Sequence, residues 1–126
     1  MRTFPGGATR DDDDAKIDYE GCLSPLALER FGQYMSKHRI QADGKLRDSD
    51  NWQRGSGIPM DQYMKSKFRH FMETWKLWRE RPAIQRHKLA VEESLCAELF
   101  NTMGLLHELV KERTQSVPSW EEEEKT

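Results

Sequence analysis

Glu93, Ala97, Asn101, Gly104 and Glu108 fall within about 80° of one another when each residue advances the chain by 100° around a helix axis. Polar side chains beside alanine and glycine let a ligand or metal ion come close to a backbone. The same spacing also serves tight helix packing, with the carboxylates at the solvent edge, and spacing alone leaves both readings open. Arg69 and His70 are adjacent; a guanidinium there could clamp a phosphate, and an imidazole could hydrogen-bond a base or move a proton. The bland alternative is a boundary pair on a helix flank. Asp50-Asn51-Trp52, with Arg54 and Gly55, offers an amide, an aromatic plane and a cation, a set suited to a nucleobase and its phosphates. Trp52 could equally be an anchor that packs its loop on the core. His38, His87 and His107 have no spacing that suggests zinc.

These groups need elements to hold them, and the sequence predicts an all-α chain. Ser24-Pro25 supplies an N-cap and an N1 proline, and Leu26, Leu28, Phe31, Tyr34 and Met35 follow at helical spacing, so a first helix is expected over about 25–38. From 41 to 57 the chain carries Gly44, Gly55 and Gly57 without a sustained period. It reads as a long ordered loop, a kind of segment that usually serves a function. Pro59 opens a second helix whose Met64, Phe68, Phe71, Trp75 and Trp78 share one face, ending near Arg81 because Pro82 cannot continue it. A third helix is expected over about 86–113. It has two apolar stripes, Val91, Leu95, Leu99, Leu106 and Leu109 on one side and Leu89, Cys96, Phe100, Met103 and Val110 on the other. Two partner helices cannot cover both stripes, so a small bundle of about three helices completed by self-association, as a dimer or tetramer, is the expectation.

The flanks differ in composition. Residues 1–21, with Pro5, Gly6, Gly7 and a run of aspartates at 11–14, have too few aliphatic side chains to offset chain entropy and predict a flexible arm, extended or disordered without a ligand. Residues 115–126 end in a glutamate block that should stay solvated. The helical domain is thus expected over 22–114. A chain of 126 residues with 36% hydrophobic residues has a thin core, and 20 basic against 22 acidic residues give a net charge of −2, so no global field would hold a nucleic-acid polymer. Cys22 and Cys96 lack metal-ligand spacing and read as reduced thiols, Cys96 as a small core residue. No apolar run reaches the roughly 18–20 residues of a membrane span and the first residues lack a signal-peptide core, so a cytoplasmic protein without a membrane partner is expected.

Glu92, Glu93 and Glu98 invite comparison with the all-α nucleotide pyrophosphohydrolases, where an E-E-x-x-E pattern and a later E-x-x-D hold Mg²⁺ and orient a water. Here Glu92-Glu93-Ser94-Leu95-Cys96 lacks the third carboxylate, so another helix, through a residue such as Glu29, would have to complete a cage. Gly7-Ala8-Thr9-Arg10-Asp11, Lys16-Ile17-Asp18-Tyr19-Glu20-Gly21, Leu23-Ser24-Pro25, Leu28-Glu29-Arg30-Phe31, Asp50-Asn51-Trp52, Phe68-Arg69-His70-Phe71 and the Glu92-Glu93…Phe100-Asn101 stretch are more specific in their order and spacing. Together, over about residues 6–112, they resemble the phage-encoded family named for the N-terminal domain of dATP/dGTP diphosphohydrolases, similar in style to MazG-like enzymes.

That resemblance implies hydrolysis of a purine deoxynucleoside triphosphate to monophosphate and pyrophosphate with Mg²⁺ or Mn²⁺, in the cytoplasm of a phage host. On the matched positions it implies Lys16 on phosphates, Glu29 and Glu93 as metal ligands, Asn51 and Trp52 on the nucleoside, and Arg69 and His70 on phosphate charge and proton transfer. Asn101, beside Glu93 on the helix arc, joins the expected substrate-binding set, and His70 and Glu93 the catalytic one. Two other classes of function fit the residues. A nucleotide-binding protein without turnover, such as a sponge for a host signalling nucleotide, needs the Arg, Trp and Asn contacts but not Glu29 or Glu93 as ligands. A purely structural oligomer needs none of them.

Overall fold

A computed structural model of the chain describes residues 2–3, 5–7, 9–10, 16–80 and 88–116. The described chain is all-α in its main elements: a short α1 (Tyr19–Cys22), then α2 (Pro25–Lys37), a 3₁₀ turn (Asn51–Gln53), α3 (Met60–Arg79) and α4 (Lys88–Ser116). Extended pairing among the described residues is confined to a two-residue antiparallel ladder, β1 (Arg2–Thr3) with β2 (Thr9–Arg10), and one bridge between Ile40 and Leu46. The ladder and α1 give the expected arm more local structure than its composition suggested. The reason in α1 is a cap, since the Asp18 carboxylate accepts from the Gly21 amide at 2.9 Å. The aspartate run and the acidic tail lie outside the described residues, as do Pro82 and the expected start of the third helix.

The first long helix begins as the sequence directs. Ser24 Oγ accepts from the Ala27 amide at 3.1 Å and Pro25 occupies the first turn. Its inner face carries Phe31 and Tyr34, which pack with Cys96 and Ala97 of α4; Met35, Phe100 and Met103 flank this small core. Leu26 and Leu28 stay exposed.

The helices α3 and α4 form an antiparallel pair, with Thr74 beside Ser94 and Glu98 at one end and Tyr63 beside Gly104 at the other. Their contact combines small and polar groups with one aromatic pair, Tyr63 edge-on to Phe100 at 5.8 Å. On α4 the residues Ser94, Ala97, Asn101, Gly104 and Glu108 form one buried row. On α3, Tyr63 is fully buried, and a Cβ on Gly104 would collide with its ring, so this glycine sets how closely the helices approach. Ser94 Oγ lies 2.6 Å from Thr74 Oγ1, which donates to Glu98 Oε2 at 2.6 Å. Asn101 Nδ2 donates to the Ala97 carbonyl at 2.8 Å. Of the arc named from the sequence, Ala97, Asn101, Gly104 and Glu108 are buried along this row, Glu108 included although the packing reading expects a solvent-edge carboxylate, while Glu93 turns to Arg30 and Lys37 of α2. Of the two apolar stripes, one faces α2 through Cys96, Phe100 and Met103; Leu95, Leu99, Leu106 and Leu109 on the other are exposed. Among the described residues no helix is long and apolar enough to cross a membrane.

Candidate functional site

The chain between α2 and α3 folds back on itself immediately after the helix ends. Gly44, at a φ of +83°, lets it turn, and Lys45 N donates to Asp43 Oδ1 at 3.0 Å within the turn. Gln41 N then bonds to Lys45 O at 2.8 Å and Arg47 N to Arg39 O at 2.8 Å, while Arg39 Nε returns a bond to Arg47 O at 2.8 Å. This small hairpin sets two arginines side by side that are eight residues apart in sequence.

The loop is fastened to α4 farther along. Trp52 stands edge-on to Phe100, with centroids 5.7 Å apart, and to His107 at 5.2 Å. Lys111 Nζ donates to the Gly55 carbonyl at 2.8 Å. Gly57, at a φ of +70°, lies against the buried Glu108 carboxylate, where any Cβ would collide. Trp52 thus serves as the anchor that one reading of the sequence assigned to it, and it lines a cleft as well.

That cleft, of about 600 Å³, lies between the end of α2 and the loop. Its wall has aromatic groups, Tyr34, Trp52 and Phe100; cations, Arg39, Arg47 and Arg54; and the amide of Asn51. His38 packs on the Tyr34 ring with centroids 4.1 Å apart, and its Nδ1 donates to the Tyr34 carbonyl at 2.9 Å, so Nε2 is the nitrogen left for another partner. Arg54 bridges Asp48 at 2.9 Å and Asp50 at 2.7 Å, and these bonds, Asp50 foremost, raise its pKa. Its charge is balanced. Among the described residues neither Arg39 nor Arg47 has a carboxylate within ion-pair distance, so these two carry the cleft's uncompensated positive charge.

The residues expected to form one site are distributed. Asn51 and Trp52 line the cleft. Asn101 is buried in the helix seam and bonded to its own helix. Arg69 is exposed on α3 and donates to Ser66 Oγ at 2.7 Å; His70 Nδ1 lies 3.1 Å from Glu73 Oε2. Lys16 and Glu29 are exposed, on the arm and on α2.

Glu93 meets two cations: its Oε1 is 3.5 Å from Arg30 Nη2 and 3.4 Å from Lys37 Nζ. Arg30 Nε also donates to Glu92 Oε1 at 2.7 Å, the first cause of its raised pKa. Among the described residues no three His, Cys, Asp or Glu side chains gather as a metal cage would require. A guanidinium and an ammonium already face the carboxylate that Mg²⁺ or Mn²⁺ would need, so the described residues around Glu93 do not fit that ion. Cys96 is a free, buried thiol whose pKa is pushed up, by burial first; Cys22 is free and exposed.

Of the residues that line the cleft, the sequence singled out Asn51, Trp52 and Arg54 and did not single out Arg39 and Arg47. The available signal was Asp43-Gly44 between Ile40 and Leu46, a short turn pair flanked by apolar residues, which folds the chain into a hairpin. Comparison with protein-family models, curated proteins and solved structures finds no match to this chain.

Proposed function

We propose that the protein binds a nucleotide in the cleft between the end of α2 and the 39–58 loop, and holds it without metal-dependent turnover. The observation that carries this reading is the pairing of Arg39 with Arg47 across the hairpin, beside the aromatic wall of Tyr34 and Trp52. Two uncompensated guanidinium groups suit a phosphate chain, which accepts planar, charge-assisted hydrogen bonds. Aromatic planes and the Asn51 amide suit a base, and the cleft volume is in the range of small-molecule sites. Nucleotide hydrolysis, the activity implied by the resemblance to dATP/dGTP diphosphohydrolases, has less support, because Glu92 and Glu93 neutralise Arg30 and Lys37 instead of converging on a cation site. A nucleotide sponge in a phage-infected cell is the setting that fits this chemistry.

The test is incubation with a panel of purine and pyrimidine nucleotides, with and without Mg²⁺ or Mn²⁺, followed by chromatography and by calorimetric titration. The expected result is unchanged nucleotide recovered bound, with micromolar affinity that Arg47→Glu lowers at least tenfold, about 1.4 kcal/mol or more. Monophosphate and pyrophosphate as products would replace this reading with the hydrolase. Absence of binding by every nucleotide would remove both.

A further inference from the structure

The side of the molecule away from the cleft is apolar and bare. On α3, Phe68, Phe71 and Trp75 are 59%, 49% and 45% exposed; on α4, Leu95, Leu106 and Leu109 are 51%, 59% and 49% exposed. Each row is turned from the α3–α4 contact by roughly a third of a revolution, in the direction of increasing residue number. Because the helices run antiparallel, equal turns of that sense bring both rows to the same side of the pair. The other flank of α4 is the one that α2 covers.

We infer that this face is the seat of a second copy of the chain, in a two-fold dimer that places the aromatic row of α3 against the leucine row of the partner's α4. The first support is area. Three half-exposed aromatic side chains leave about 300 Å² bare, and with Met64 and the leucines the face comes to about 800 Å². That exceeds the few hundred Å² a monomer ordinarily leaves exposed and equals the share of one partner in a stable interface, also about 800 Å². The second support is shape. A bulky row lies beside a slimmer one, and a two-fold rotation lays bulky on slim twice over, the self-complementarity that an isologous interface requires. The third is the seam between α3 and α4, where beyond the Tyr63–Phe100 pair the contact is made by hydroxyls, a carboxylate and small residues that supply little apolar burial. Apart from Tyr63 packed on Phe100, the aromatic row of α3 and the leucine row of α4 lie outside the contact between the two helices, and burial against a copy creates the four-helix core that the single chain lacks.

Light scattering coupled to size exclusion at micromolar concentration should give a two-chain mass for the wild-type protein. Trp75→Glu and Leu95→Lys, both on side chains exposed in the single chain, should each raise the dimer dissociation constant at least a hundredfold, whereas Lys45→Glu on the cleft hairpin should leave it unchanged. If either variant loses helical circular dichroism, dilution of the wild-type protein answers instead, with tryptophan emission moving to the red as Trp75 returns to water. A single-chain mass for the wild type overturns the inference, whether or not the chain then sediments with anionic phospholipid vesicles. So does a two-chain mass that neither substitution changes.

Discussion

Tyr63 is a side chain whose ionisation the fold opposes. It is the one large residue fully enclosed among the described residues, and its hydroxyl has no protein partner. Burial first, and the Glu108 carboxylate second, push its phenol above the ordinary value. Tyr34 is raised as well, by burial first and then by Glu93. For both, the folded state favours the neutral form. Their contribution is therefore whole below the unfolded pKa of about 10 and is lost as pH rises through the higher folded value. Denaturant midpoints should fall between about pH 9 and pH 11, and Tyr63→Phe should flatten that fall. At neutral pH the same substitution removes a buried hydroxyl without a protein partner, so it should leave stability unchanged or raise it by about 1 kcal/mol. A loss of several kcal/mol in Tyr63→Phe would mean that the hydroxyl has a partner after all.

At the scale of elements, the α3–α4 pair depends on close approach around the Tyr63 ring, which packs on Phe100. Gly104→Ala should cost about 1–3 kcal/mol, because the added methyl meets the Tyr63 ring and the helices must part. Urea midpoints of the variant check this, and the Gly104→Ala, Tyr63→Leu double variant should recover part of the loss. The helices themselves were legible. Ser24-Pro25 marked the start of α2 as found, and the stripes of α3 and α4 fell on helices, because capping and periodicity are local properties. The use of each face was less legible. An arc of Glu93, Ala97, Asn101, Gly104 and Glu108 resembles a polar ligand arc as much as a contact seam, and only the partner helices decide, burying the last four and turning Glu93 to the cations of α2. The arginine pair of the cleft escaped notice because eight intervening residues had first to fold back through Gly44.

The molecule as a whole has two unlike sides. One joins α2, the loop and the cleft, with its positive charge held locally on Arg39 and Arg47 in a chain of net charge −2. The other is the bare apolar face of α3 and α4. Since α4 lies between them, substitutions on one side can be read without disturbing the other, and nucleotide binding and dimer formation can fail separately. The link from Lys111 to Gly55, with Glu108 seated against Gly57, has a consequence for amide hydrogen exchange. The wall of the cleft hangs from the last turns of α4, so those turns and the loop should open to deuterium as one cooperative unit. Lys111→Met should raise exchange at Ile58 and over the 3₁₀ turn while leaving protection at Phe31 and Cys96 unchanged; uniform loss of protection, or none, would show that the loop is held by something else.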